Sequence, residues 1–367
     1  MQTKEFNEVK KQFKITNCNI SRLRGCYVND KKEKVSYINH TFLNLPEEEQ
    51  HKYLEILKKT LTGKIGKNLL DMKFRDSSRQ KSLIALRDSG LKDDKIIDSF
   101  YDSVIESVNY VGNYLILVID QMYDIPCKAE DNTKIGESDD VYHYVLCSIC
   151  PMDLSKAGIS YFESNNEFHN AERSFMVKPP IMGFLYPAFN ERMEDRESIA
   201  FYSKDTKKFD DAFVNTCLGC YLPTSANTQQ TIFSESLSET YDDKCSFDLV
   251  ENITEKVKEL SESNAKESLT ENGIGHMLES SGMEKEKVET FKSIMKSKME
   301  ENEMQDKEIN VNNILPDKKN VYEINGLKIK ADEQQSKYME VKKIDGKLCL
   351  VIETSEEFKM NGIPITE

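Results

Sequence analysis

Residues 114–123, YLILVIDQMY, decide how this chain folds. The apolar run from Tyr114 to Ile119 falls far short of the roughly 18 to 20 residues of a membrane span and fits a buried strand. Five further strand-like stretches follow: VYHYVLCSI (141–149), GISYF (158–162), ERSFMV (172–177), GFLYPAF (183–189) and SIAFYS (198–203). Polar or proline-containing turns separate them. The joins are too short for a crossover helix, except between Ile125 and Asp140, so the sheet is predicted to be mostly antiparallel.

Upstream, a short charged helix precedes ISRLRGCYV and KVSYINHTF, which flank the polar NDKKE in a hairpin pattern. LNLPEEEQHKYLEILKKTLTG predicts a helix, with Pro46 near its start, acids in the first turn and Gly63 as its stop. Ile96, Ile97, Phe100, Val104 and Val108 mark a second amphipathic helix. Helices resume near Asp210, and Asn227 with Gln230 suggests a capped start for TQQTIFSESLSETY. Beyond Ser246 the chain turns polar, acidic and helical, with ELSESNAKESLTENG (259–273) read as a linker and a helical hairpin turning at Ser281-Gly282. The tail places Asn325-Gly326, Asp345-Gly346 and Asn361-Gly362 between β-type runs, a pattern of tight hairpins. The expected fold class is α+β: a main domain over 1–245 with a central sheet and covering helices, an acidic helical segment over 246–315, and a β module over 316–367.

With 367 residues and 38% hydrophobic content, the chain can bury a sizeable core. Its 64 acidic against 50 basic residues give a net charge of −14, which disfavours nucleic acid as a partner unless a local basic face exists. The opening MQTKEFNEVKKQF has no apolar core and predicts no secretory leader. A cytoplasmic location is therefore expected, with the nine cysteines reduced and no membrane partner.

Two C-x-x-C motifs raise the question of a shared metal site. A four-thiolate zinc site needs every sulfur about 2.3 Å from one ion. CSIC (147–150) lies in a run that alternates like a strand, so Cys147 and Cys150 are predicted on opposite faces unless the chain turns at Ser148-Ile149. CLGC (217–220) lies at a predicted helix end, with Gly219 as the stop. Neither motif opens a helix, the position that lowers a thiol pKa for redox work. No metal and no cofactor are expected. The histidines at 40, 51, 143, 169 and 276 form no metal-binding pair, and His143 stands about 13 Å along its strand from Cys147. LTGKIGKNLL has two glycines and two lysines but lacks the spacing of a phosphate-binding loop.

Two polar groups stand out as candidate binding residues. Arg22 and Arg24 of SRLRGCYV share one strand face, with Tyr27 on the other, and ion pairing is their simplest use. Asn190, Glu191, Arg192, Glu194, Asp195 and Arg196 form a charged turn between apolar strands, read as a solvated hairpin loop on a rigid sheet. Asp120 and Asp124 share a strand face as candidate catalytic carboxylates, although acids at a strand end commonly serve as turn or cap residues.

NCNISRLRGCYV, LNLPEEE, LTGKIGKNLL, LRDSGLKDDKI, YDIPCKAED, LCSICPMDLSKAGISY, GFLYPAFNERMEDRESIAFYSK and LGCYLPTSANTQQTIF run through most of residues 15–233. In these blocks, and more weakly around IDGKLCLVI and NGIPI, the chain resembles an uncharacterised family of unknown function from Firmicutes, chiefly clostridia. The resemblance implies no reaction, cofactor or partner. Cys217 stands outside that family's pattern, which weakens a paired C-x-x-C site. The leading expectation is a cytoplasmic binding or regulatory protein with an unknown protein partner. The alternatives are a hydrolase or nucleotide-handling enzyme using carboxylates near the sheet edge such as Asp120 and Asp124, and a ribosome- or RNA-associated factor using the lysines of KEKV and GKIGK.

Overall fold

The computed structural model describes residues 1–126, 140–156, 158–164, 166–170, 173–242, 245–263, 268–302, 304, 307–315, 320–353, 359–360 and 363–364. It divides into two compact units, Met1–Thr228 with Met304–Asp306 and Gln229–Glu303 with Lys307–Glu367. Among the described residues no helix is long and apolar enough to cross a membrane.

The first unit opens with α1 (Thr3–Lys10), the hairpin β1 (Ile20–Val28) and β2 (Lys34–Thr41), then α2 (Glu47–Thr60) and β3 (Leu69–Lys73). Two helices follow, α3 (Ser77–Asp88) and α4 (Asp94–Ser107). Each starts on an aspartate that accepts backbone amides of the first turn, Asp76 from Ser78 and Asp93 from Lys95 and Ile96. The strand-rich stretch then gives β4 (Tyr114–Asp124), β5 (Val141–Leu154), β6 (Ile159–Phe162), β7 (Glu167–Asn170), β8 (Phe175–Val177), β9 (Met182–Tyr186), β10 (Ala188–Asn190), β11 (Met193–Asp195) and β12 (Ser198–Ser203).

The main sheet runs β2-β1-β4-β5-β9-β12-β3, with every neighbouring pair antiparallel. Beyond it, β8 pairs with the far end of β5. Strands β4 and β5 lie in the middle, which is why their sequences are apolar on both faces. On one face Ile116, Val118, Val145 and Cys147 pack under Leu83 and Leu86 of α3 and Ile97, Phe100 and Val104 of α4. On the other, Leu117, Ile119, Tyr144 and Leu146 pack under Phe6 and Val9 of α1 and Leu54 and Leu57 of α2. The result is a sheet between two helical layers, an α+β arrangement as expected. Gly183 on β9 allows the close approach: a Cβ there would sit 2.3 Å from the Cys147 carbonyl oxygen.

The second unit holds α5 (Ala226–Thr240) from Gln229 on, α6 (Phe247–Ser263), the short strands β13 (Ser268–Thr270) and β14 (Glu308–Asn310), and the helical hairpin α7 (Glu271–Ser280) and α8 (Lys285–Glu301). Gly282 makes the predicted turn with φ of 96°. The stretch 259–273, expected as a linker, is the end of α6, β13 and the start of α7 in its described parts. The tail forms separate hairpins, β15 (Asn320–Ile324) with β16 (Leu327–Ala331) and β17 (Met339–Ile344) with β18 (Lys347–Ile352). Both turn residues of Asn325-Gly326 and of Asp345-Gly346 have positive φ, as such two-residue hairpins require. The expected turn at Asn361-Gly362 lies outside the described residues.

Candidate functional site

The helix-facing side of β4 stays apolar until Asp120. That carboxylate is only 2% exposed. Its Oδ1 lies 2.5 Å from Nε2 of His143 on β5, and its Oδ2 accepts a 2.5 Å hydrogen bond from Ser21 Oγ. Ser21 can reach it because the β1–β4 register shifts between Ile20 and Arg22, a bulge that re-aims a side chain. The His143 side chain is 23% exposed, and Nδ1 has no hydrogen-bond partner among the described residues. A buried carboxylate that holds one ring nitrogen orients the imidazole and leaves the other nitrogen to accept or donate a proton. Ser21 bonds the carboxylate rather than the imidazole, so the three are not arranged as a serine nucleophile with its base. Asp124, the second candidate carboxylate, is exposed four residues further along β4, about 13 Å away along the strand.

Arg22 and Arg24 occupy the same sheet face as Asp120, and Tyr27 packs on the opposite face, as the alternation predicted. Arg24 is buried and satisfied: Nε donates to the Leu91 carbonyl at 3.0 Å and a terminal nitrogen to Asp94 at 2.8 Å. Arg22 is half-buried, stands opposite Asp120 in the register, and makes no ion pair among the described residues.

The charged turn Asn190–Arg196 is a hairpin in which Glu191 and Arg196 are exposed, as expected, whereas Asn190, Arg192, Glu194 and Asp195 are half-buried and engaged. Glu191 and Arg192 take the two positive-φ positions, at 52° and 60°. Arg192 then donates to Glu8 of α1 and to the Pro126 carbonyl, while Glu8 also accepts from Tyr123. Glu194 accepts from Arg87, near the end of α3, and from Arg196. Asn190 donates to both Asp71 and Asp195. Since α1 and α3 cover opposite faces of the sheet, the turn ties both layers across its end. Asp195 is held below the ordinary carboxylate range: burial acts against this, and hydrogen bonds from Asn190, Ser198 and the Glu197 amide outweigh it. Arg22 and Arg24 lie on β1 and the turn follows β9, so the two candidate groups flank Asp120 and His143 from opposite sides in the strand order.

The cysteines take no part in this cluster. Strand β5 runs straight through Ser148, placing Cys147 in the α3–α4 layer and Cys150 in the α1–α2 layer. Cys217 and Cys220 join the layer of Cys147, at the end of a π-helical segment, Phe213–Leu218, that Gly219 stops with φ of 65°. Burial pushes the thiols up, to about 12 for Cys150 and Cys220 and about 11 for Cys217, the opposite of what a reactive or metal-binding thiolate needs. Among the described residues no three His, Cys, Asp or Glu side chains are grouped to hold a metal ion. In the LTGKIGK loop the amides of Gly66, Lys67 and Asn68 donate to the loop carbonyls of Leu69 and Lys64, so they do not form an anion cradle.

A family model described as a domain of unknown function, DUF4317, matches residues 1–363. The chain belongs to the DUF4317 family. No curated protein and no solved structure matches it.

The DUF4317 match spans both compact units, so the terminal hairpins belong to the same family unit as the sheet. Within it, the Asp120–His143 contact is the feature that sequence reasoning missed. His143 is directly opposite Met122, and Asp120 opposite Val145, so the pair is a diagonal neighbour across two strands. Alternation places both residues on one face, but only the strand register brings them together.

Proposed function

We propose that this DUF4317 protein is a cytoplasmic binding or regulatory protein that acts through a protein partner. The observation that carries the reading is an arm beyond the main sheet. There β8 pairs with the last residues of β5, and β6 pairs with β7. Leu154, Ile159, Tyr161, Phe168, Phe175 and Met176 are all exposed on this arm, with Ile159 at 73% and Phe168 at 72%. Of these, Ile159, Tyr161 and Phe168 share one face of the β6–β7 hairpin, with Tyr161 directly opposite Phe168, and an exposed apolar face of this kind is characteristic of a contact surface. Buried, unpaired cysteines suit a reducing compartment. Native mass spectrometry and cross-linking of the full chain test the proposal. A stoichiometric partner bound by the wild type and lost in Ile159→Ser/Phe168→Ser supports it; equal recovery with the double variant overturns it.

A second reading, a hydrolase or nucleotide-handling enzyme, is favoured by the Asp120–His143 contact. Under this reading His143 transfers the proton, Asp120 orients it, and Asp124 has no part. A substrate panel run with Asp120→Asn and His143→Gln checks it: activity unchanged in both variants removes these residues from any reaction.

A further inference from the structure

We propose that Arg22 and His143 are the two sides of a binding site for one oxyanion, a phosphate or carboxylate group of a small ligand. The proposal takes its location from the enzyme reading and does not need catalysis. It starts from charge accounting on one sheet face. The Asp120 carboxylate is shared between His143 and Ser21, and Arg24 is neutralised by Asp94. Arg22 is thus a half-buried arginine left without an ion pair among the described residues, next to the buried carboxylate in the register. Its planar fork fits two oxygens of a phosphate or carboxylate, and the weak hydration of guanidinium favours such pairing.

The second side of the site is His143. With Nε2 held by Asp120, Nδ1 is turned away from that carboxylate and, when protonated, donates to an anion. Arg22 lies on β1 and His143 on β5, with β4 between them. Arg22 is opposite Asp120 and His143 opposite Met122, so two strand spacings and a two-residue offset separate their backbones, about 12 Å. At that separation the long arginine side chain and the imidazole, on one sheet face, can share a single oxyanion group between them. Asp120, whose two oxygens are turned to His143 and Ser21, lies between them, so the ligand meets the Arg22 guanidinium and the His143 ring rather than a free carboxylate.

The test is a titration of the full-length protein with inorganic phosphate or acetate at constant ionic strength, reading the imidazole resonances by NMR, with His143→Gln assigning the His143 signal. The expected result is a saturable shift of that signal. Arg22→Gln weakens the apparent affinity by at least about tenfold, as expected for loss of a charge-assisted bidentate contact. Arg22→Lys, which keeps the charge, weakens it less, and Lys52→Gln, on the exposed outer face of α2, leaves it unchanged. Which of the two probes saturates first distinguishes a phosphate from a carboxylate ligand. No saturable shift with either anion, or the same shift in a folded Arg22→Gln protein, overturns the proposal. Binding without turnover on any substrate leaves this site standing and removes only the enzyme reading.

Discussion

The hydroxyls of Thr60, at the end of α2, and Ser148, in the middle of β5, are hydrogen-bonded to each other at 2.6 Å inside the core. Each is the other's buried partner, so removing one alone strands the other. Ser148→Ala and Thr60→Val are each expected to cost about 1–3 kcal/mol, and the double variant less than the sum of the two. Denaturant unfolding of the four proteins in a double-mutant cycle measures this; strictly additive losses contradict it.

Gly183→Ala probes the same region from the neighbouring strand. The added methyl meets the Cys147 carbonyl oxygen at 2.3 Å and Thr60 Cγ2 at 2.6 Å, and backbone cannot move aside as a flexible side chain can. The expected loss is about 1–3 kcal/mol or more, read as a lower unfolding midpoint. Gly346→Ala has open space around it, so its loss comes only from backbone strain at φ of 78°.

The thiols make a chemical prediction. Site-resolved alkylation of the native protein at neutral pH is expected to modify Cys245 and Cys349, which are partly exposed, long before Cys26, Cys147, Cys150, Cys217 or Cys220. Full labelling of that buried set should require denaturant. Fast native labelling at Cys147 or Cys217 would show that the layer between β5 and α4 opens far more readily than its packing implies.

The same burial sets an alkaline limit. Tyr114 and Tyr186 are pushed to about 12 and Cys26 to about 11, against ordinary values of 10.0 and 9.0. In the unfolded chain these groups lose protons first, so the unfolded state binds fewer protons and stability falls as pH rises. The effect is absent below about pH 9, the ordinary thiol value, and grows until the folded-state values are passed. Asp195 works in the other direction: its lowered pKa gives stability that is present above the ordinary carboxylate value and lost as the pH drops through the folded one. Unfolding midpoints measured at neutral pH, near pH 10.5 and near pH 3 check both signs.

The turn predicts a contrast between two ion pairs. Arg87 is 4% exposed and Glu194 22%, whereas Lys52–Glu48 lies along the outer face of α2. Glu194→Gln is expected to cost about 1–3 kcal/mol, because Arg87 retains Asp88 but loses its more buried partner. Lys52→Ala should leave the unfolding midpoint where it is, as exposed pairs do. Equal effects from the two would mean that the turn is not the tie between layers described above.

Much of this architecture was legible because it follows from local patterns. The alternation around Cys147 and Cys150 predicted sulfurs on opposite faces, the glycine after Leu218 predicted a helix stop, and the Asn-Gly and Asp-Gly steps predicted hairpins. Helix α3 escaped notice because its apolar positions, Leu83, Ile84 and Leu86, cluster near its end and SSRQKS before them is polar. Edge strand β3 was hidden for a related reason: LLDMK is short and follows a loop that mimics part of a phosphate-binding motif. The site was less legible than the fold. Strand faces followed from alternation, so Arg22, Arg24 and Asp120 could be placed on theirs, yet nothing local specified the register that sets His143 beside Asp120. The engagement of Arg192 with Glu8, 184 residues away, is likewise a product of tertiary folding alone.

Strand β5 has one more property. His143 stands near its first residue and Leu154 is its last, so the proposed anion site and the apolar arm are opposite ends of one unbroken segment, roughly 35 Å apart along it. Between them the strand is clamped on both sides by β4 and β9 and above and below by helices. The two proposed contacts therefore rest on one and the same strand.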